Sequence, residues 1–307
     1  MDQTVSPVFD VIVVGHFSID SILLPKRQHS ITVLGGSVTY VSLVSRRLEK
    51  TVSIISRVGG DFPEAYLWWL REEGIDLSGV VKTELEQTTR FELQYGSDLS
   101  ERTLRLKSKA PAVSLTDISV SVSAKAIHLA PIAGEISYEL TELLRNRAEI
   151  LSLDIQGLLR KIDSDGNILL GPPADMRLLE LVNVCKCSEN EIKILTGRSD
   201  LASSIKAVHD CGVETVIVTK GAEGAVLSLE GTSYDVPACI PEKVIDPTGA
   251  GDVFIGGFLA ELVQGHDPYW CACVGSGAAS IVVESFGPTF FGEKEEIYRR
   301  AALVYNK

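Results

Sequence analysis

The position of Asp252 points most directly to chemistry. It follows Gly249-Ala250-Gly251 immediately, where an amphipathic run predicts the start of a helix. Glycines let an anion approach the backbone closely, and the N–H groups that open a helix point toward it. A carboxylate at the same turn can accept a proton from a nearby hydroxyl, so the turn has the parts that phosphoryl transfer to an alcohol requires. The structural alternative is that the acid only stabilises the first turn of a helix.

Other phosphate and metal motifs do not compete with this turn. The chain has no Gly-Lys dipeptide, which excludes the P-loop of nucleotide-binding proteins. The cysteine pairs Cys185/Cys187 and Cys271/Cys273 do not have the spacing of a zinc site. An aspartate with an ordinary pKa, about 3.9, is ionised at neutral pH, as a general base must be.

Composition and charge exclude several classes of function. The 307 residues are enough for one large domain or two modest ones, and a net charge of −12 argues against a nucleic-acid partner. The longest charge-free run, Pro268–Val283, is shorter than the roughly 20 residues of a membrane span. No basic segment followed by an apolar core opens the chain, so we expect no signal peptide and a cytoplasmic protein.

Buried strands alternate with helices along most of the chain. This alternation predicts a mostly parallel sheet with helices on both faces, in which ligands bind beyond the carboxyl ends of the strands. The predicted strands are Phe9–Val14, Val52–Ile55, Ala126–Leu129, Ile150–Asp154, Leu181–Cys185 and Thr215–Thr219, and the predicted helices include Ser37–Glu49, Glu64–Glu73, Ser137–Ala148 and Ser199–Cys211.

One region has the two-residue period of an antiparallel hairpin. Residues Thr88–Tyr95 and Arg102–Lys107 alternate polar and apolar around the turn sequence GSDLS. Together with Ser18–Val33 they would make a small sheet that projects from the main domain. Such a sheet is either a lid over the active site or an ordinary edge hairpin, and the pattern favours neither.

Five segments resemble the ribokinase/PfkB family of carbohydrate kinases, and the resemblance extends over nearly the whole chain. Residues 244–262, VIDPTGAGDVFIGGFLAEL, resemble its C-terminal signature, and residues 34–48, LGGSVTYVSLVSRRL, its N-terminal signature. The other segments are VVGHFSID, VGGDF and VTKGAEGAVL. The resemblance implies a ribokinase-like three-layer sandwich over residues 1–307 as a single domain, with a β lid formed by about 16–36 and 86–108.

The resemblance also implies a kinase that transfers the γ-phosphate of ATP with Mg²⁺. Asp252 would be the catalytic base, and Gly249–Gly251 would form the hole for the phosphoryl group. The implied substrate residues are Asp20, Gly35, Gly36, Tyr40, Asp61 and Arg90; the implied nucleotide residues are Thr219, Lys220, Gly221, Gly224 and Ser280; and the implied metal residues are Glu191 for magnesium, with Asp246 and Thr248 beside a monovalent cation such as K⁺.

Two departures from the family pattern bear on the function. Ser188 replaces the asparagine of the family's Asn-x-x-Glu motif, and Tyr40 replaces the usual asparagine of the N-terminal signature, close to the substrate. The stretches LGGSVTY, TTRFELQY and LDIQGLLRKIDSDG are most similar to the branch that contains myo-inositol kinases. A polyol such as myo-inositol is therefore the leading acceptor, and a sugar or a nucleoside is the alternative.

A hypothesis of another class is a sensor that uses the fold to bind a metabolite without turnover. The altered Ser188-x-x-Glu191 motif favours it slightly, and the intact Gly-Ala-Gly-Asp turn argues against it. In either case we expect a small-molecule ligand, no nucleic acid or membrane partner, and a monomer or a homodimer that pairs through the lid.

Overall fold

Strands and helices alternate through the part of the chain that this computed structural model describes, residues 9–25, 27–96, 102–173 and 175–306. Residues 1–8 and residues 97–100 of the predicted hairpin turn lie outside that part. The strands are β1 (Phe9–Val14), β2 (Ser18–Leu23), β3 (Ile31–Gly35), β4 (Val52–Gly59), β5 (Ile75–Thr83), β6 (Thr89–Tyr95), β7 (Arg102–Ser108), β8 (Ala124–Leu129), β9 (Ala148–Asp154), β10 (Arg160–Ile162), β11 (Ile168–Leu170), β12 (Val184–Ser188), β13 (Thr215–Thr219), β14 (Ala225–Leu229) and β15 (Thr232–Val236). The helices are α1 (Ser37–Arg47), α2 (Glu64–Glu72), α3 (Tyr138–Arg145), α4 (Gln156–Leu159), α5 (Glu189–Thr196), α6 (Leu201–His209), α7 (Ala250–Leu262), α8 (Pro268–Val282) and α9 (Lys294–Tyr305).

The central sheet has nine strands in the order β15-β14-β13-β12-β9-β8-β1-β4-β5. Neighbours from β13 through to β5 pair in parallel, and β14 and β15 are antiparallel at one edge. The strand predicted at Leu181–Cys185 is wrong at its start, because β12 begins at Val184. Leu178 and Leu179 are buried in a 3₁₀ turn that ends at Leu181, so the apolar run continues across the boundary between turn and strand.

Alternate side chains of the central strands point to opposite faces, and both faces are buried. In β1, Val11 and Val13 join the core formed with α1, α7, α8 and α9, whereas Ile12 and Val14 join the core formed with α3, α5 and α6. Helices therefore cover both faces, which gives the predicted three-layer α/β sandwich. Within the described residues, no helix combines the length and the apolar character needed to cross a membrane.

A second, four-stranded sheet has the order β3-β2-β6-β7 and corresponds to the predicted lid. Along β6, Phe91, Leu93 and Tyr95 are buried and the residues between them are exposed. The buried face packs with Ile22 and Ile132 in a small core of its own. Because this sheet has its own core and lines the pocket described below, it is a cover for the pocket and not an edge of the central sheet.

A further hairpin holds the outer strand of the lid. Strands β10 and β11 pair antiparallel, and the turn between them reaches β7. The N–H of Leu106 donates to the Gly166 carbonyl at 2.8 Å, and Arg105 Nε donates to the Asp165 carbonyl at 2.7 Å. These contacts occupy part of the β7 edge, so pairing of two subunits through the lid, which stays a prediction, would use the opposite edge at β3.

A buried polar network joins the lid to the central sheet. His16, two residues after the end of β1, contacts the Pro111 carbonyl through one ring nitrogen (2.9 Å) and the Thr89 hydroxyl through the other (3.0 Å). The Glu135 carboxylate accepts a hydrogen bond from the backbone N–H of His16 at 3.0 Å. It also accepts hydrogen bonds from the backbone N–H groups of the residues two and three positions before Glu135. Both ring nitrogens of His16 are therefore engaged within the protein, at the base of the lid.

Candidate active site

A pocket opens at the edge of the central sheet where the parallel strands end, which is where ligands bind in folds of this type. It contains about 440 Å³ of empty space, its open mouth included. One side of the pocket, called the floor here, is polar, and the other side is apolar; the lid sheet contributes residues to both. The floor includes Ser18, Asp20, Ser37, Tyr40, Gln156, Arg160, Thr248, Gly249 and Asp252, and the apolar side includes Phe91, Leu93, Leu104 and Ile132.

The turn that carries Asp252 has the backbone form that the sequence predicts. Gly249 caps the start of α7 with a φ of 81°, a left-handed conformation that favours glycine. The N–H of Ala250 donates to the Pro247 carbonyl at 3.3 Å. The N–H groups of the following residues open the helix, where such groups have no partner within the helix itself. The turn can therefore present backbone donors to an anion beside Asp252.

The Asp252 carboxylate lies among polar groups from several elements. Gln156 Nε2 is 3.4 Å from Asp252 Oδ1 and donates to Ser37 Oγ at 2.8 Å. Asp252 is half-buried, yet protein atoms surround it closely enough that burial raises its pKa above the ordinary value, although nearby cations and Ser37 act in the opposite direction. The ordinary pKa expected from the sequence is therefore wrong, because the folded protein raises it. A more basic carboxylate is a better proton acceptor.

A buried ion pair that sequence analysis missed lies directly behind the turn. Lys186 Nζ is 2.8 Å from Asp154 Oδ2, and both side chains are almost fully buried. A Cβ at Gly251 would fall 2.8 Å from Lys186 Nζ, so the ammonium group packs against the first turn of α7. The two charges are 32 residues apart in the chain and become neighbours through the parallel pairing of β9 with β12. No local sequence pattern predicts a pair between residues so far apart in the chain.

Gln156 and Arg160 are two further pocket residues that sequence analysis did not single out. Arg160 donates to Gln156 Oε1 at 2.8 Å and to the Ile132 carbonyl at 2.7 Å. Its guanidinium also lies 5.5 Å from the centre of the Phe91 ring on the lid. Both residues belong to the stretch LDIQGLLRKIDSDG. Their spacing of four residues, directly after a strand that ends in an acid, is the signal that could have found them.

Three of the predicted substrate residues, Asp20, Gly36 and Tyr40, line the pocket, and Gly35 lies against Asp20. Asp20 Oδ2 lies 2.1 Å from the place where a Cβ of Gly35 would be, so the glycine gives this carboxylate its room. Gly36 follows with a φ of 88° and caps α1, which carries Tyr40. The Tyr40 hydroxyl is buried and has no hydrogen-bond partner among the described residues. Burial and then nearby carboxylates, Asp20 first, raise the pKa of Tyr40, so the hydroxyl stays a neutral donor.

The other two predicted substrate residues, Asp61 and Arg90, pair with each other outside the pocket lining. Arg90 Nη2 lies 2.8 Å from Asp61 Oδ2, and the N–H of Thr88 donates to Asp61 Oδ1 at 2.7 Å. The alternation of β6 explains this position: Phe91 is on the buried face that lines the pocket, so Arg90 points to the opposite face. Their contact with substrate stays a prediction, and in this structure they brace the base of the lid.

The predicted nucleotide residues other than Ser280 lie at one turn. Thr219 ends β13, and Lys220, Gly221 and Gly224 follow at the same edge of the sheet as the pocket. The φ angles of the two glycines are 59° and 92°. Lys220 Nζ is 3.8 Å from the exposed Asp235 carboxylate, so its charge is only loosely held. Nucleotide binding by this turn stays a prediction.

Ser280 is instead buried between α8 and α9. Its hydroxyl donates to the Gly277 carbonyl at 2.7 Å and accepts from Arg300 Nη1 at 3.0 Å. Arg300 in turn pairs with Glu284 at 2.7 Å. The Ser280 hydroxyl therefore serves the packing of these two helices, and its assignment to the nucleotide has no support from its contacts.

Glu191 and Ser188 cap helix α5 reciprocally. The N–H of Ser188 donates to Glu191 Oε2 at 2.7 Å, and the N–H of Glu191 donates to Ser188 Oγ at 3.3 Å. Across the described ranges no group of three or more His, Cys, Asp or Glu side chains could by itself hold a metal ion. Mg²⁺ commonly keeps several waters and takes one or two carboxylates together with substrate phosphates. A single carboxylate such as Glu191 fits that kind of site, and its role stays a prediction.

Asp246 and Thr248, the predicted neighbours of a monovalent cation, join the turn to the lid. Asp246 Oδ1 accepts from the Thr248 hydroxyl at 2.6 Å, and Asp246 Oδ2 accepts from the Gly287 N–H at 3.3 Å. The hydroxyl of Tyr95, the last residue of lid strand β6, is 2.7 Å from Thr248 Oγ1. Both oxygens of this buried carboxylate accept hydrogen bonds from the protein, and its place beside a monovalent cation stays a prediction. The lid touches the segment that leads into the Gly-Ala-Gly turn.

Comparison with known proteins assigns the chain to a known group of enzymes. The sequence profile described as "pfkB family carbohydrate kinase" matches residues 9–295. A cytidine kinase of Thermococcus kodakarensis is 27% identical over 283 residues, which are 91% of this chain and 98% of that protein. An inositol 3-kinase of Arabidopsis thaliana is 28% identical over 302 residues, 94% of this chain and 80% of that protein.

Solved structures show the same fold. A pyrophosphate-dependent kinase in the ribokinase family, complexed with a pyrophosphate analog and myo-inositol, superposes with a TM-score of 0.79 at 22% identity, covering 94% of this chain and 99% of the other. Ribokinase of Arabidopsis thaliana, complexed with ribose and ATP, has a TM-score of 0.78 at 19% identity, covering 96% and 99%. At these identities the likeness establishes the ribokinase-like architecture.

Proposed function

Because the chain belongs to the pfkB family of carbohydrate kinases, we propose that it transfers the γ-phosphate of ATP to a hydroxyl of a small polyol or sugar, with Asp252 as general base. The observation that carries the proposal is the half-buried Asp252 at the first turn of α7, in the lining of the pocket. A general base and backbone anion donors then lie within one turn of chain.

In the proposed reaction the acceptor hydroxyl attacks the γ-phosphorus and gives its proton to Asp252. The bond from the γ-phosphorus to the bridging oxygen breaks, and ADP leaves with that oxygen. The raised pKa of Asp252 favours the proton transfer, and Gln156 Nε2, 3.4 Å from Asp252 Oδ1, orients the carboxylate. The Gln156 amide is itself held in place by its hydrogen bond to Ser37 Oγ at 2.8 Å.

Backbone N–H groups at the start of α7 stabilise the charge on the transferred phosphoryl group in this proposal. The left-handed Gly249 sets the direction in which the helix begins. Glu191 would help to hold Mg²⁺ together with the donor phosphates, and the ion would neutralise part of the phosphate charge when bound. The lid contributes Phe91 and Leu93 to the pocket wall, which excludes water from the reacting groups.

The charges and hydroxyls of the pocket support an uncharged, polyhydroxylated acceptor. Asp20 and Asp252 contribute two carboxylates against the one guanidinium of Arg160, so a phosphorylated acceptor would meet net repulsion. Hydroxyls of Ser18 and Tyr40 add hydrogen-bonding groups, and that of Tyr40 is without a protein partner in the described chain. Together with the similarity to an inositol 3-kinase, these features favour myo-inositol.

A nucleoside is the second candidate acceptor. The lid side of the pocket offers Phe91, Leu93 and Leu104, an apolar surface against which a base could stack while the sugar hydroxyls face Asp20. The similarity to a cytidine kinase covers 98% of that protein and also favours a nucleoside as the acceptor. The two candidates place different groups against the lid, and direct assay separates them.

The test is a screen of ATP consumption with polyols, sugars and nucleosides as acceptors. We expect the Asp252→Asn variant to lose about 10²- to 10⁴-fold in kcat while the acceptor still raises its Tm. Asp210→Asn, an exposed aspartate paired with Lys206, is the matched control and should retain full activity. Full turnover by Asp252→Asn would show that Asp252 is not the general base. Preference for ribose or a nucleoside would reject a polyol as the acceptor.

The same screen distinguishes a kinase from a metabolite sensor. A sensor would gain thermal stability from a metabolite without consuming ATP in its presence, whatever acceptor is supplied. Inorganic pyrophosphate is supplied in a parallel series, since one structural neighbour is described as pyrophosphate-dependent. Turnover with pyrophosphate in place of ATP would retain the acceptor chemistry and change the donor.

A further inference from the structure

The buried Lys186–Asp154 pair is a costly feature to find beside an active site. Removing two charges from water is expensive, and such pairs are often no more stable than apolar replacements. Lys186 is 6% exposed and Asp154 is fully buried, in adjacent strands at the edge of the sheet where the pocket opens. The position of the pair beside the pocket calls for an explanation other than stability.

The contact of Lys186 with Gly251 supplies the first part of the explanation. Lys186 Nζ and Cε would lie 2.8 Å and 3.3 Å from a Cβ at Gly251. The ammonium group thus fills the space where a side chain would project from the first turn of α7. Since Asp154 holds Nζ at 2.8 Å, the ion pair is a fixed support behind the turn and not a flexible side chain that can move away.

The charges around Asp252 supply the second part. The carboxylates of Asp154 and Asp252 both lie near the point where an anionic donor would bind, and unopposed they would repel it. Although burial acts to lower it, these two carboxylates keep the pKa of Lys186 above its ordinary value, so the amine is charged. Charged and polar groups from five elements face Asp252. They are Lys186 from β12, Asp154 from β9, Gln156 from α4, Arg160 from β10, and Ser37 and Tyr40 from α1.

We propose that Lys186 and Asp154 are positioning residues of this site: Lys186 supports the first turn of α7 from behind Gly251 and provides the permanent positive charge that lets Asp252 and a bound anion occupy the same turn. Asp154 holds Lys186 in that place. The inference rests on the proposed kinase reaction for its effect on turnover, but the contact itself does not.

The first experiment measures kcat/KM against pH for two opposite charge removals. Lys186→Met removes a cation that lowers the pKa of Asp252, so the acid limb should move to higher pH by about one unit. Asp154→Asn removes an anion that raises it, so the limb should move to lower pH. We also expect Lys186→Met to lower kcat at neutral pH by about tenfold or more. A support with only a structural role would leave the limb in place.

Lys50→Met is the matched control, because Lys50 is 7% exposed and precedes β4, at the opposite edge of the sheet. It should leave the pH profile unchanged. Limbs that stay fixed in both pocket variants, or that move in the same direction, would overturn the proposal. If a single variant does not fold, the double variant Lys186→Met/Asp154→Asn is measured instead, because it leaves neither charge unpaired. We expect its kcat to fall about tenfold. Wild-type turnover by the double variant would reject a positioning role for the pair.

The second experiment measures Tm and needs no activity. Gly251→Ala should lower the Tm of the wild type, because the new Cβ displaces Lys186 from Asp154. In a Lys186→Ala background the same change should raise Tm, since the space is free and alanine favours a helix over glycine. Equal effects in both backgrounds would contradict the contact. Absence of turnover by the wild type in the acceptor screen would instead reject the kinase proposal and leave this result standing.

Discussion

Tyr40 packs its ring directly on Gly249, the first residue of the Gly-Ala-Gly turn. A Cβ at position 249 would lie 2.3 Å from Tyr40 Cδ1 and 2.4 Å from Cε1. The residue that departs from the family pattern and the turn that carries the proposed base therefore form one packed unit. The acceptor side of the pocket and the anion-binding turn cannot change independently of each other.

The first prediction separates this contact from backbone strain. Gly249→Ala should lower the free energy of unfolding by about 1–3 kcal/mol more than Gly265→Ala, because overpacking adds to strain. The two glycines have φ angles of 81° and 79°, and no described atom lies within 4 Å of a Cβ at Gly265. Urea unfolding measures both. Equal losses would mean that the Tyr40 ring moves aside without cost.

The second prediction concerns the link between the lid and the turn. Tyr95→Phe removes the hydroxyl that lies 2.7 Å from Thr248 Oγ1, so the lid should close less favourably and the KM for the acceptor should rise about two- to tenfold. Steady-state kinetics with the acceptor found in the screen measures the change. Tyr234→Phe, on the exposed strand β15, is the control. An unchanged KM in Tyr95→Phe would show that this contact does not govern closure.

The third prediction concerns Arg160. Replacement by methionine removes its hydrogen bonds to Gln156 and to the Ile132 carbonyl, and the acceptor KM should rise about tenfold or more, since hydrogen bonds of charged groups are the stronger ones. Lys161→Met changes the next residue, which is exposed, and should have little effect. Similar kinetics for the two variants would argue that Arg160 contributes only to the hairpin that follows it.

The fourth prediction is a stability that depends on pH. Although burial alone would raise it, His16 and backbone N–H groups hold the pKa of Glu135 below its ordinary value of 4.5. A depressed pKa gives stability that is fully present above the ordinary value and is lost as pH falls through the folded value. Glu135→Gln should therefore lower the free energy of unfolding by about 1–3 kcal/mol at neutral pH, and by less in acid.

Urea unfolding at neutral pH and at acidic pH checks this expectation. Glu142→Gln, an exposed glutamate on α3, is the control and should change stability little at either pH. A Glu135→Gln effect of equal size at both pH values would mean that the shape of the side chain matters and its charge does not.

Local patterns in the sequence were enough to predict the fold and to place Asp252 at a helix start, where the structure has it in the pocket lining. Strand-length apolar runs alternating with helices predicted the parallel sheet, and the two-residue period of Thr88–Tyr95 predicted the lid strand that the structure places at Thr89–Tyr95. The turn before Asp252 was identifiable because left-handed glycine followed by a helix start is a property of neighbouring residues. Such features depend on contacts within one turn or one strand, which a linear pattern contains.

Tertiary structure alone decided which distant residues complete the site. Lys186 meets Asp154 because β9 and β12 lie side by side, and Tyr40 meets Gly249 across more than two-thirds of the chain. It also decided that the Ser280 hydroxyl meets Arg300 of the next helix and that Arg90 pairs with Asp61. The sequence determined what each segment becomes. The partners of each side chain depend on the order of the strands and on how closely the layers pack, and no local spacing encodes either.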